Sequence, residues 1–388
     1  MLSLFGCAII HPSKTNVHDT RTVKEEKKMA KLRVGVIGAT GYVGQRFISL
    51  LDNHPWFECV AVVASPRSAG KPYADAVEGR WKIDVEMPSY VKNMIVESTE
   101  DIEKVCEKVD FVFCAVDMKK YEIRALEEKI AKLETPVVSN NSAHRWTPDV
   151  PMMVPEINSD HAAIIEKQRE RLGTKRGFIA VKPNCSIQSY APAISAWLKY
   201  EPTQVLACTY QAISGAGKTF ANWPEMVENV IPYIGGEEAK SEQEPLRIWG
   251  RIEDGKIVKA KAPIITSQCI RVPVVNGHTA ATFVSFKQKV EKAQLIEDLV
   301  NFKGLPQKMD LPSAPKQFIQ YLEDDDRPQV KLDVDYEGGM GVSIGRLRED
   351  LLFDWKFVGL SHNTLRGAAG GAMLCAESLV ALGYIEAK

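Results

Sequence analysis

The sequence lacks a paired cysteine framework. Its eight cysteines stand apart at 7, 59, 106, 114, 185, 208, 269 and 375, with no C-x-x-C pair and no close Cys/His cluster of the kind that holds zinc. That spacing excludes a disulfide scaffold, predicts no metal site and leaves free thiols suited to a reducing cytoplasm, where one cysteine can serve as a nucleophile. Also missing is an uncharged apolar run of the roughly eighteen residues that a membrane helix needs. Charge of one sign is not in excess either. Lys plus Arg number 49 against 50 Asp plus Glu, a net charge of -1, which leaves no electrostatic footprint for nucleic acid or an anionic membrane. Small molecules are the expected partners. No internal repeat, low-complexity tract or long Gly/Ser linker interrupts the chain.

What is present suits an ordinary globular protein. The 388 residues are 45 % hydrophobic and 26 % charged, enough for two domains at about 150 residues each. Residues 1–30 open with a short apolar stretch but have no basic segment ahead of it, and Glu25 and Glu26 argue against a transit peptide. We expect this extension to be disordered and the working protein to begin at Met29.

The first strong pattern is Leu32-Arg33-Val34-Gly35-Val36-Ile37, a β-branched run that leads into Gly38-Ala39-Thr40-Gly41-Tyr42-Val43-Gly44 and then the helical spacing of Phe47, Leu50 and Leu51. Strand, glycine turn and helix in this order predict a nucleotide site. Glycines at 38, 41 and 44 let the backbone turn tightly beside a pyrophosphate, which the free N–H groups of the helix start then hold. The next strand, Phe57–Ala64, ends in Ser65-Pro66-Arg67-Ser68. No acidic residue stands there to bind a ribose 2′-hydroxyl, whereas Ser65, Arg67 and Ser68 suit a 2′-phosphate, so the expected cofactor is NADP rather than NAD. Further strand runs at 109 to 116 and 136 to 139, with a helical stretch at 120 to 133 between them, continue the alternation of a parallel α/β sheet.

A fifth such strand precedes Lys182-Pro183-Asn184-Cys185-Ser186-Ile187-Gln188, which passes into apolar positions at Ile187, Tyr190, Ile194 and Leu198. The spacing predicts a helix with Cys185 at its N-terminus, where the dipole would lower the thiol pKa and supply a nucleophile. The Pro183-Asn184 turn offers backbone N–H groups to an oxyanion. A lone cysteine is more often a small buried hydrophobe, and that bland reading covers the other seven.

Five segments together carry a family resemblance: the glycine turn at 38–44, Pro183-Asn184-Cys185, Gln211-Ala212-Ile213-Ser214-Gly215-Ala216-Gly217, Arg271-Val272-Pro273-Val274-Val275-Asn276-Gly277-His278, and Asn363-Thr364-Leu365-Arg366-Gly367-Ala368-Ala369-Gly370-Gly371. In this order they resemble aspartate-β-semialdehyde dehydrogenase, most closely its archaeal and fungal branch, from about Lys31 to Lys388. The resemblance implies a Rossmann-type NADP-binding domain at 31–183, completed by a C-terminal helix at 363–388, and an α+β catalytic and dimerisation domain at 184–362. It implies a homodimer or homotetramer in the cytoplasm. The activity implied is reversible, NADPH-dependent reduction of β-aspartyl phosphate to aspartate β-semialdehyde, within the biosynthesis of lysine and diaminopimelate, threonine, methionine and isoleucine.

Residue by residue, the resemblance makes Cys185 the thioacyl nucleophile and His278 its acid/base partner. Gln211 orients the substrate, and Asn184 belongs to the catalytic turn. Arg271 binds the substrate carboxylate and Arg145 the phosphate. Glu237 and Lys240 match a Glu-x-x-Lys pair that binds substrate, although Glu238 is an alternative for the glutamate. Ser214, Gly215 and Gly217 form a loop facing the cofactor, and Asn363 touches it near the nicotinamide. Competing readings on the same scaffold are malonyl-CoA reductase and N-acetyl-glutamyl-phosphate reductase, and a non-enzymatic one is an NADP-binding redox sensor.

Overall fold

Short runs of Val, Ile and Phe form β1 (Leu32–Ile37), β2 (Phe57–Ala64), β3 (Glu97–Ser98), β4 (Phe111–Cys114), β5 (Val137–Ser139) and β6 (Ile179–Val181). In the computed structural model, which describes residues 30–388, they pair in parallel in the order β3-β2-β1-β4-β5-β6. The expectations for residues 1–29, including a start at Met29, lie outside the described residues. Every residue of β4, β5 and β6 is buried, as expected when helices cover both faces of a parallel sheet. The helix Tyr42–Leu50 lays Phe47 on Phe113, their rings 4.4 Å apart. The last helix, Gly370–Ala381, returns to this sheet and packs Ala372, Met373, Ala376 and Leu379 with Val34, Val36 and Val138. Strand order reverses between β1 and β4, which opens a crevice at their C-terminal ends.

The second half of the chain makes a mixed sheet. After β7 (Pro202–Gln211) come a small hairpin of β8 (Arg251–Glu253) and β9 (Lys256–Val258), then β10 (Ile264–Arg271), β11 (His278–Phe286), β12 (Ile319–Leu322), β13 (Val342–Glu349) and β14 (Trp355–Ser361). The larger sheet runs β10-β7-β11-β14-β13-β12. Along β11 buried residues alternate with half-buried ones, so one face meets the core of Tyr190, Ile194, Trp197 and Phe357 while the other stays open.

Register decides what this sheet contributes. Gln211 pairs with Arg271 across β7 and β10, Thr279 with Tyr210 across β11 and β7, and His278 with Ser361 across β11 and β14. Four neighbouring strands therefore bring Arg271, Gln211, His278 and the approach to Asn363 to one end of the sheet.

Two expected helices are corrected. The stretch after Cys185 is a 3-10 turn, Ser186–Ser189, then a short helix, Ala191–Ala196, and a second 3-10 turn, Leu198–Tyr200. Tyr190 at φ -137°, ψ -35° and Pro192 break the continuous helix that the apolar spacing suggested. Likewise the C-terminal helix expected at 363–388 is a wide turn, Leu365–Ala369, kinked at Ala368, followed by Gly370–Ala381.

Candidate active site

The glycine turn follows β1 at the crevice. Gly38 has φ +86°, and a Cβ there would lie 2.3 Å from the Ala115 carbonyl; one on Gly44 would lie 2.1 Å from the Gly38 carbonyl. Side chains that the sequence reading missed hold the turn in place: Tyr73 donates its hydroxyl to the Ala39 carbonyl at 2.8 Å, and Gln45 donates to that of Thr40 at 3.1 Å. The helix that starts at Tyr42 has no side-chain cap and no acidic residue in its first turn, which leaves its N–H groups available to an anion. Ser65 and Arg67 stand exposed beyond β2, next to β1, whereas Ser68 is buried. These residues fit a dinucleotide with an extra phosphate.

Cys185 lies beyond β6 in a pocket whose lining runs from Val43 of that first helix through Asn140, Arg145, Lys182 and Asn184 to Ser214, Gly215, Asn363 and Gly367. Its Sγ is 3.4 Å from His278 Nε2. Gly367 is required here, because a Cβ would sit 2.7 Å from the Cys185 Cβ. The thiol pKa is raised by burial and by Glu237, while Lys182, Arg145 and Arg271 pull it down. This corrects the expected mechanism of activation. A four-residue 3-10 turn has little dipole to offer, and the stabilisation available to a thiolate comes from neighbouring cations and from His278.

The Ala212 peptide sets two site residues at once. Its N–H donates to His278 Nδ1 at 3.0 Å, and its carbonyl accepts from Arg271 Nη1 at 2.7 Å. With Nδ1 an acceptor, the neutral ring carries its proton on Nε2, facing the sulphur. Burial and the Arg271 cation push the His278 pKa down to about 3, so the ring stays neutral and acts as a hydrogen-bond donor. Taking a proton through Nε2 would cost it the Ala212 bond.

Two buried carboxylates organise the thiol turn. Glu244 accepts from Arg145 Nη1 at 2.9 Å and from the Asn184 N–H at 2.5 Å. Glu237 accepts from Asn184 Nδ2 at 2.9 Å, Gln211 Nε2 at 3.4 Å and Lys240 Nζ at 2.6 Å. The Ser186 N–H is bound by Asn184 Oδ1 at 2.8 Å. Two of the turn's amides are thus committed within the protein, which corrects the expectation that they hold an oxyanion. Of the two candidate glutamates, Glu237 is the one at the site; Glu238 faces Gln268. Arg145 also donates to the Lys182 and Asn140 carbonyls, leaving only part of its guanidinium for a ligand. Asn363 donates to Ser214 Oγ and accepts from the Gly277 N–H, both at 2.8 Å, so it ties the 214–217 loop to the approach of His278. Glu244 was missed from the sequence, although it lies seven residues after Glu237 and so on the same helix face. Lys182 was missed as well.

Comparison with known proteins identifies the family of the chain. Residues 33–165 match the profile of the semialdehyde dehydrogenase NAD binding domain, and residues 191–366 that of the semialdehyde dehydrogenase dimerisation domain. The class is therefore that of the semialdehyde dehydrogenases. Aspartate-semialdehyde dehydrogenase of Methanothermobacter thermautotrophicus is 42 % identical, covering 89 % of this chain and 98 % of the relative. The enzyme of that name from Schizosaccharomyces pombe is 39 % identical over 92 % of this chain and 100 % of its own. The crystal structure of aspartate semialdehyde dehydrogenase with NADP from Candida albicans superposes with a TM-score of 0.81 at 35 % identity, covering 92 % of this chain and 100 % of that one. The chain belongs to the aspartate-semialdehyde dehydrogenase family.

Proposed function

We propose that this protein interconverts β-aspartyl phosphate and aspartate β-semialdehyde with NADP(H), through a thioacyl group on Cys185, in the biosynthesis of lysine and diaminopimelate, threonine, methionine and isoleucine. The observation that carries the reading is the single pocket linking Val43, at the glycine turn, to a thiol that faces a neutral imidazole.

In the oxidative direction the Cys185 thiolate adds to the aldehyde carbon, and His278 Nε2–H stabilises the resulting alkoxide by a hydrogen bond. When bound, the nicotinamide supplies the hydride chemistry, accepting hydride in this direction and delivering it in the other. Phosphate then attacks the thioester carbonyl, and the sulphur leaves as thiolate. Arg271 holds the substrate carboxylate, Arg145 and Lys240 hold the phosphate, and Gln211 and Glu237 orient the substrate between them. Asn184 positions the turn through Glu237. Around the cofactor, Gly38 to Gly44 and the helix start cradle the pyrophosphate, Arg67 with Ser65 and Ser68 reads the 2′-phosphate, and Ser214, Gly215, Gly217 and Asn363 face the nicotinamide end.

Free described thiols suit the cytoplasm. The open face of the mixed sheet, where exposed Leu351 and Leu352 gather with Leu206 and Phe283, supports assembly as a homodimer or homotetramer. A spectrophotometric assay with aspartate semialdehyde and NADP tests the function: reduction should require phosphate or arsenate, and dependence on coenzyme A instead would move the assignment to a CoA-thioester reductase.

A further inference from the structure

Arg145 reaches the pocket at the end of a loop that leaves β5 at Ser139. Its Nη2 donates to the Asn140 carbonyl at 3.3 Å, so the direction of the guanidinium depends on where the Asn140 peptide lies. On the sheet side the Asn140 N–H is held by the Cys114 carbonyl of β4 at 2.9 Å.

Behind the loop runs the helix Lys120–Lys132. Glu127, fully buried on it, accepts from the residues on either side of Asn140: from Ser139 Oγ at 2.5 Å and from Asn141 Nδ2 at 3.0 Å. Three residues earlier, and so on the same helix face, Arg124 donates to the Ala143 carbonyl at 2.7 Å. The loop closes on itself as well, with the Asn141 N–H on Ser139 Oγ at 3.0 Å.

Glu127 does this without a counter-charge. Among the described residues no lysine or arginine pairs with it, and both of its bonds end on Oε1. Oε2 has no protein partner, and neither has His144 Nε2, which stands 4.0 Å away. Burial raises the carboxyl pKa against the pull of the Ser139 and Asn141 bonds. What the loop takes from Glu127 is therefore one acceptor oxygen rather than a charge.

We propose that Glu127 is a positioning residue for the phosphate subsite: through Ser139 and Asn141 it fixes the Asn140 peptide, and that peptide aims Arg145 at the attacking anion. It touches neither substrate nor cofactor. The role rests on the reading of Arg145 as the phosphate ligand and adds what holds that ligand in place.

The test is the oxidative rate with semialdehyde, NADP and inorganic phosphate varied in turn, for the full-length wild type, Glu127→Leu and Glu127→Gln. Leucine fills the space but removes the acceptor. It should raise KM for phosphate by about tenfold while KM for the other two ligands, and kcat at saturating phosphate, stay within about twofold. Glutamine offers the same acceptor without a charge and should bring KM for phosphate back to within about twofold of the wild type. An unchanged KM for phosphate in Glu127→Leu overturns the proposal. So do losses spread evenly over all three ligands, which would mark a general loosening, and a glutamine variant no better than leucine, which would mean that a charge is needed. Should Glu127→Leu fail to fold, Asn141→Ala removes one of the two bonds from the loop side; KM for phosphate should rise at least about threefold, and no rise overturns the proposal. Arg145→Ala, assayed alongside, separates the two failures. An unchanged KM for phosphate there defeats the reading of Arg145 itself, whereas a raised one there with none in Glu127→Leu removes only the role of Glu127.

Discussion

The glycine turn at 38–44 and the thiol turn at 182–186 both follow strands of the parallel sheet, yet they are built on opposite principles. The first works by leaving atoms out: backbone that a Cβ would strike is free to approach a pyrophosphate, and its helix start is left uncapped. The second works by tying atoms down. Glu244 holds the Asn184 N–H, Glu237 holds its side chain, and Asn184 in turn holds Ser186. A site that binds a large cofactor needs space and loose donors, whereas one that makes and breaks a bond needs a fixed sulphur.

Substitutions can separate the two turns. The largest effect is expected for Cys185→Ala, which should lower kcat by more than about a thousandfold, some 4 kcal/mol, while NADP binding measured by fluorescence is unchanged. Next, Gly367→Ala pushes a methyl onto the Cys185 Cβ and should cost about a hundredfold in kcat with the cofactor still bound. Gly44→Ala should do the reverse, weakening cofactor binding and lowering stability by about 1–3 kcal/mol through overpacking, as read by titration and thermal melts. The paired arginines follow. Arg145→Ala should raise KM for phosphate and arsenate roughly tenfold or more, whereas Arg271→Ala should slow hydride transfer at saturating phosphate; identical profiles would show that the two do not serve separate anions. Smallest is Arg67→Glu, expected to shift preference from NADP toward NAD by about tenfold in kcat/KM, checked by assaying both cofactors. Equal losses would place Arg67 outside the 2′-phosphate site.

The contrast also explains what could be read from the sequence. Backbone requirements leave a local signature, so Gly38, Gly41 and Gly44 announced their turn, and the buried strands announced the parallel sheet. The mixed sheet's contribution was harder, because Arg271, Gln211 and His278 meet only through strand register. Cys185 was recognisable by motif, but its environment was misjudged: apolar spacing alone cannot show that Tyr190 and Pro192 interrupt a helix. Glu244 shares a helix face with Glu237, but its bonds to Arg145 and Asn184 join elements distant in sequence, and Lys182 reaches the pocket by being buried there; neither contact leaves a pattern in one chain.

The central claim is a covalent acyl group on one sulphur. Mixing the protein with aspartate semialdehyde and NADP in phosphate-free buffer should give a burst of reduced cofactor equal to the sites present, with the acyl adduct on the Cys185 peptide by mass spectrometry. Added phosphate should discharge that adduct and restart turnover. Steady reduction of cofactor with no adduct on Cys185, or an adduct on another cysteine, would contradict the account.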